Sequence, residues 1–249
     1  MIVYGINPVL EALRAGRVTS LRVGDRGGER MRELMALATE RGVKVQRVPA
    51  DLLGRLARGG VHQGVVADVE EAATDYSVAE LVRQAAVPLI VVLDGIEDPH
   101  NLGAILRTAD AAGVDGVVIQ SRRSAALGGA AAKASAVAMA HVRIAEVVNI
   151  ARAIEELKDL GVWTIGLAGE ATTSYAAVDL ILPSAIVLGA EGSGLRRLVR
   201  ERCDHLVAIP MSGHVGSLNV SVAAGIMLFE AVRQRVAHGD TGELRTRRK

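Results

Sequence analysis

Five short runs of this chain are almost wholly apolar, and they do not alternate. They are residues 88–93, 116–119, 162–167, 185–188 and 205–209. A strand with one solvated face alternates apolar and polar residues. A continuous run such as Leu89-Ile-Val-Val-Leu93 is buried on both faces, as in a parallel sheet covered by helices on either side. Helical stretches separate the runs, at 103–112, 130–138, 150–160 and 195–201, and an apolar helix follows at 220–232. The pattern predicts an open α/β fold with a mainly parallel sheet. In such sheets ligands sit beyond the carboxyl ends of the strands.

The first 70 residues read as a separate small α/β unit. Helices are expected at 8–15, with Pro8 in the first turn, at 31–40, stopped by Arg41-Gly42, and at 50–57. Strands are expected at 21–23, 43–48 and 65–69, giving βαβ-style alternation. Residues 70–77 are polar and 79–84 form a short helix. The expected organisation is therefore 1–70, a linker at 71–85, a larger body at 86–238 and a basic tail at 239–249. The 125–134 stretch is rich in Ala and Gly.

Composition removes several function classes. Aromatics make up 2% of the residues, too few for a base-stacking platform. Cys203 is the single cysteine, so neither an internal disulfide nor a Cys-based zinc site can form. The six histidines (62, 100, 141, 205, 214 and 238) lack ligand spacing, and no metal is expected. Cys203-Asp-His205 reads as a strand entry with a buried thiol, and Trp163 as a core strand residue. No leader pattern opens the chain and no apolar run is long enough for a bilayer, which fits a cytoplasmic protein without a membrane partner. The net charge of +1 is unevenly spread: residues 1–58 carry +5, 76–232 carry −4 and 233–249 carry +4. Basic ends suit a polyanion such as RNA, although the tail by itself reads more readily as a solvated, frayed end.

Three polar loops follow predicted strands. The first runs from Asp94 to Asp110. Asn101 and Arg107 lie six residues apart, or roughly 240° around a regular helix after whole turns are removed, so they share a face only if Asn101 precedes the helix as its cap. Arg107 is a cation inside an otherwise apolar helix, and by itself it reads as a snorkelling side chain. The second loop, Leu188-Gly-Ala-Glu-Gly-Ser-Gly-Leu195, allows tight turns and close backbone approach, with Glu191 among its glycines. It matches neither a dinucleotide fingerprint nor a Walker A loop. The third, Ile209 to Gly225, delivers Ser217 and Asn219 to the mouth of the last helix. It is either a turn with Ser217 or Asn219 as the cap, or a binding wall that exposes free N–H groups. In that helix Leu228, Phe229 and Val232 form an apolar face, either core or dimer contact.

Taken together, Asn101-x5-Arg107, Gly189-Ala-Glu-Gly192 and Ile209-Pro-Met211 followed by Ser217-Leu-Asn-Val-Ser221 resemble the three motifs of the SpoU/TrmH family of SPOUT-class RNA 2′-O-ribose methyltransferases. The resemblance covers residues 88 to about 235. It extends to Tyr4-Gly-x-x-Pro-Val-Leu-Glu-Ala-Leu13 and His62-Gln-Gly-Val65, which look like the family's small L30e-like RNA-binding domain. Asp98-Pro-His-Asn-Leu-Gly-Ala104 and Arg123-Ser-Ala125 resemble the subgroup that methylates a guanosine of 23S rRNA.

The resemblance implies a C-terminal trefoil knot, a homodimer and S-adenosylmethionine as cofactor. It implies that backbone around Gly189, Ile209 and Leu218, with Gly192 and Met211 beside them, holds that cofactor. Asn101, Arg107, Glu191, Ser217 and Asn219 would form the reaction site. One proposal for the family makes the matching arginine a general base. A guanidinium is not deprotonated in proteins, so Arg107 reads better as a cation that stabilises developing negative charge and grips a phosphate. Asn101 and Glu191 are expected to organise the pocket, with Glu191 orienting Arg107. The alternatives are a tRNA ribose methyltransferase of the same family and a non-catalytic RNA-binding assembly factor.

Overall fold

The computed structural model describes residues 2–25, 27–70, 76–121 and 142–239. The Arg123-Ser-Ala motif, the Ala/Gly-rich stretch, the expected 130–138 helix and nearly all of the basic tail lie outside the described residues.

The N-terminal residues form β1 (Ile2–Tyr4), α1 (Ile6–Arg14), β2 (Val18–Val23), α2 (Glu29–Glu40), β3 (Lys44–Arg47), α3 (Ala50–Leu56) and β4 (Val65–Val69). The strands are ordered β1-β4-β2-β3. The β2-α2-β3 unit is parallel as expected, but β4 runs antiparallel to both β1 and β2, so the alternation is not βαβ throughout. The path of residues 48–64 explains this: the Val48 N–H donates to the Val23 carbonyl (2.9 Å) and the Gly24 N–H to the Gly64 carbonyl (2.9 Å), so both ends of the segment stay beside the carboxyl end of β2. The chain therefore re-enters the sheet from the end at which β3 left it. Val9, Leu10 and Leu13 of α1 and Leu34 of α2 bury against Leu21 and Val65 on one face, while Leu53 of α3 covers Val66 on the other.

The rest of the chain forms α4 (Val78–Val82), β5 (Leu89–Asp94), α5 (Pro99–Ala111), β6 (Gly116–Gln120), β7 (Ile144–Val147), α6 (Ile150–Asp159), β8 (Trp163–Leu167), β9 (Thr173–Ser174), β10 (Ser184–Gly189), α7 (Arg197–Arg202), β11 (His205–Ala208) and α8 (Val220–Ala237). The sheet order is β7-β6-β5-β10-β8-β11-β9, and every pairing is parallel. The runs in β5, β6 and β10 are buried on both sides, as their composition requires, whereas β11, next to the edge strand β9, has only Val207 buried. Leu89, Val91 and Leu93 of β5 meet Leu102, Ile105 and Leu106 of α5 and Met227 and Leu228 of α8. Ile90 and Val92 face the other way, onto Val78 and Leu81 of α4 and Ile154 and Leu157 of α6. Helix α4 starts at a capping box: the Ser77 hydroxyl accepts from the Glu80 N–H while the Ser77 N–H donates to the Glu80 carboxylate.

Trp163 departs from the core role expected of it. It is the first residue of β8, 46% exposed, and its ring lies against His205 at the start of the neighbouring β11 (centroids 5.6 Å apart). At the amino end of the strand no helix among the described residues covers it. Cys203 behaves as expected of a packed thiol. Burial, reinforced by the nearby Asp204 carboxylate, pushes it up to about 12. The last helix continues past the expected 232 to Ala237. Arg235, in its final turn, donates to the carbonyls of Leu180, Val87, Pro88 and Leu182, tying α8 to the amino-terminal approaches of β5 and β10.

Candidate active site

A cavity of about 280 Å³ opens at the carboxyl ends of β8, β10 and β11 and is closed by the first turn of α8. Leu188, Ile209, Leu218, Val220 and Ala223 supply apolar wall, and Glu170 and Glu191 supply two acids. Gly189, Gly192, Ile209, Met211 and Leu218 all line it, as do Glu191 and Ser217. Residues 167–170, which follow β8, line it too and are absent from the sequence-based set. The available signal was position: these residues end a predicted strand, but Leu-Ala-Gly-Glu lacks the glycine density that marked the second loop.

The 189–195 loop is folded back on itself. Ala190 and Gly194 exchange two backbone hydrogen bonds (3.1 and 2.9 Å). A Cβ on Gly189 would lie 2.2 Å from the Gly194 carbonyl carbon and 2.3 Å from the Leu195 nitrogen, so the turn closes only over glycine. Its far end is anchored from below. Asp94, wholly buried at the end of β5, accepts from the Arg196 N–H (2.8 Å) and pairs with the Arg196 guanidinium. Sequence reasoning missed both partners, because 102 residues separate them and neither belongs to a recognisable spacing.

Asp98, not Asn101, caps α5, its carboxylate accepting from the His100 N–H (2.9 Å). Asp98-Pro99 is a cap followed by a proline in the first turn, which sets the helix start two residues before Asn101. Asn101 is therefore inside the helix and 6% exposed, and Arg107 lies on a different face, exposed and away from the cavity wall. At the other side of the cavity Asn219 is the cap of α8. Its Oδ1 accepts from the Ser221 N–H (2.9 Å) and the Ser221 hydroxyl (2.6 Å).

These placements join the three loops through one chain of hydrogen bonds. With Asn219 Oδ1 occupied by donors, its Nδ2 donates to Asn101 Oδ1 (2.9 Å). Asn101 Nδ2 in turn donates to Glu191 Oε2 (3.0 Å). The direction of each amide follows from its neighbours. The chain begins at the positive end of α8 and terminates on a carboxylate at the cavity mouth, so every dipole in it points the same way. The structure thus unites Asn101, Glu191 and Asn219 and places Ser217 on the cavity wall, while Arg107 is exposed on another face of α5.

Residues 88–229, more than half of the chain, match the model of the SpoU rRNA methylase family. The chain belongs to that family. Residues 2–74 match a second model, RNA 2′-O ribose methyltransferase substrate binding. This SpoU-family chain is 44% identical to a putative TrmH family tRNA/rRNA methyltransferase of Staphylococcus saprophyticus, covering 96% of this chain and 98% of the relative. It is also 44% identical to the 23S rRNA (guanosine-2′-O-)-methyltransferase RlmB of Shewanella oneidensis, covering 94% and 97%. Among solved structures it resembles the SpoU methyltransferase AviRb of Streptomyces viridochromogenes in complex with AdoMet, with a TM-score of 0.78 and 25% identity over 95% of this chain and 91% of that one.

Proposed function

We propose that this protein transfers a methyl group from S-adenosylmethionine to the ribose 2′-hydroxyl of a guanosine in 23S rRNA, in the cytoplasm. The observation that carries this reading is the cavity joined by the Asn219–Asn101–Glu191 chain, in a family of rRNA methylases whose 23S rRNA-directed relatives align over nearly the whole length.

The cavity fits the cofactor. A glycine-bounded loop permits close backbone contact, the apolar wall suits an adenosine, and acids at the rim suit a sulfonium and an α-amino group. Gly189, Gly192, Ile209, Met211 and Leu218 would hold it. When bound it supplies the electrophilic methyl carbon. The protein's task is to place a weakly acidic hydroxyl and favour charge developing on it. Ser217 and Asn219 would bond the ribose at the helix mouth, with Asn101 and Glu191 fixing the orientation of Asn219. Arg107, exposed on another face of α5, would act as a permanent cation that grips a phosphate of the same RNA. A 2′-hydroxyl target makes RNA the substrate in preference to DNA.

Residues 1–70 would serve as the RNA-binding domain, 71–85 as the linker and 86–238 as the catalytic domain, ahead of the 239–249 tail. The trefoil knot is supported by the insertion of β10 between β5 and β8, with the 189–195 loop and the 209–219 segment converging on one cavity. The homodimer is supported by α8. Leu228 is core, whereas Val222, Phe229 and Val236 lie seven residues apart and 41–51% exposed, an apolar stripe on one side of the helix.

The test is transfer of labelled methyl to 23S rRNA and to tRNA, with alkaline hydrolysis to map the product. Protection of one rRNA linkage is expected, label on tRNA would select the tRNA alternative, and label on a base would overturn the ribose assignment. Absence of heat on titrating S-adenosylmethionine would select a non-catalytic RNA binder.

A further inference from the structure

The two acids that line the cavity are held differently. Glu191 belongs to the hydrogen-bond chain on the β5 side of β10. Glu170 follows β8, on the opposite side of β10, and takes no part in that chain. It sits in a tight turn: the Ala171 N–H donates to the Ala168 carbonyl (3.1 Å), and the Ala168 N–H donates to the Val207 carbonyl of β11 (2.9 Å). The turn fixes the Glu170 backbone at the cavity rim, where its side chain stays 59% exposed.

Arg200 of α7 fixes the side chain, its Nη1 donating to Glu170 Oε1. The neighbouring arginines are answered elsewhere: Arg197 by Glu201 on the same helix, Arg202 by Glu155 on α6, and Arg196 by the buried Asp94 beneath the glycine loop. Arg200 instead reaches a residue of the cavity wall. A half-exposed ion pair adds little to stability, so folding alone gives little reason for this one. What it does is present a carboxylate and a guanidinium side by side at the rim. Among the described residues Glu170 Oε2 makes no bond, and neither do Nε and Nη2 of Arg200. Opposite charges at hydrogen-bond spacing match one part of S-adenosylmethionine, the α-amino acid head, which carries an ammonium and a carboxylate on one carbon. The adenosine suits the apolar wall, whereas the head keeps its charges best where water still reaches it.

We propose that Glu170 and Arg200 form a clamp for this zwitterionic head, Glu170 Oε2 accepting from the ammonium and the Arg200 guanidinium donating to the carboxylate. The inference rests on the reading of the cavity as a cofactor site, and adds two binding residues on the side away from the Asn219–Asn101–Glu191 chain.

The experiment compares two thioethers on the full-length protein: S-adenosylhomocysteine, which keeps the head, and 5′-methylthioadenosine, which lacks it. Affinities are read by calorimetry, with weak binding read by displacement. Glu170→Gln and Arg200→Ala are each expected to weaken S-adenosylhomocysteine about tenfold while changing 5′-methylthioadenosine by less than about twofold. In steady-state transfer the loss should fall on KM for S-adenosylmethionine more than on kcat. Arg197→Ala, whose partner lies on its own helix, is the control and should leave both affinities within about twofold. All three variants should melt within about 2 °C of wild type, because exposed pairs contribute little. Unchanged S-adenosylhomocysteine affinity in either clamp variant overturns the clamp. So does an equal loss of both ligands, which would mean that the pair shapes the cavity as a whole. A wild-type protein that binds neither thioether nor S-adenosylmethionine overturns the cofactor reading itself, an outcome distinct from variants that behave like a ligand-binding wild type.

Discussion

Gly189→Ala is the smallest change that should disable the cavity. The added methyl carbon would sit 2.2 Å from the Gly194 carbonyl carbon and 2.4 Å from its oxygen, both backbone atoms that cannot rotate aside. Restoring ordinary contact requires the turn to move by more than about 1 Å. Both Ala190–Gly194 hydrogen bonds then exceed bonding range, and the Arg196 N–H bond to Asp94 lengthens with them. At about 1 kcal/mol for each neutral bond and a little more for the carboxylate, the cost is about 3 kcal/mol. For a chain of this size that corresponds to a fall of roughly 6–12 °C in melting temperature. Glu191 moves with the loop, so affinity for S-adenosylmethionine should fall at least about tenfold, a loss of about 1.4 kcal/mol. Gly213→Ala is the matched control: nothing lies within 4 Å of its Cβ and it should be silent. Differential scanning calorimetry and isothermal titration read both effects. A Gly189→Ala protein that melts within about 2 °C of wild type and binds the cofactor normally would refute the closed-turn account of the cavity.

Asn101→Leu keeps the volume but removes both hydrogen bonds of the central link, and should lower kcat by about 10²-fold with a smaller change in cofactor affinity, measured by steady-state methyl transfer. Burial alone would raise the Asp204 carboxyl, but hydrogen bonds from the Lys158 ammonium and from the Thr164 hydroxyl and N–H outweigh it and hold the group below its usual range. That stabilisation is present above the unfolded pKa of about 4 and is lost as pH falls through the folded value, so Asp204→Asn should flatten the acid limb of stability below about pH 4 in urea titrations. With its thiol pushed up to about 12, Cys203 should carry thiolate in roughly one folded molecule in ten thousand at pH 8, and alkylating reagents should label it only on unfolding. Phe229→Glu, at an exposed position of the α8 stripe, should shift the protein to monomer in sedimentation, whereas an unchanged mass would remove the stripe as the dimer contact.

The apolar runs determined the second sheet before any contact was known, because a strand buried on both faces must be apolar at every position. Leu89 to Leu93 and Ala185 to Leu188 lie where their composition puts them; His205 to Ala208 forms a strand as expected, but next to the edge and with only Val207 buried. The three motif loops were legible for the same reason: each follows such a strand, and glycine, asparagine and serine mark turns and caps locally. The edge strands β1, β7 and β9 were not legible, and β9 is two residues long. β4 was legible as a strand at 65–69, but its direction was not, because direction depends on the end of the sheet at which the chain returns rather than on composition. Nor did helical periodicity settle Asn101. As a cap it would have shared a site with Arg107, but Asp98-Pro99 starts the helix earlier and rotates the two apart. Only the tertiary structure decided that Asn219, Asn101 and Glu191, spread over 118 residues, form one polarised hydrogen-bond chain. Only it showed that Asp94 and Arg196 hold the glycine loop over that chain. A hydrogen bond needs atoms within about 3 Å, and parallel strand order brings distant loops to the same sheet end without leaving any spacing in the sequence.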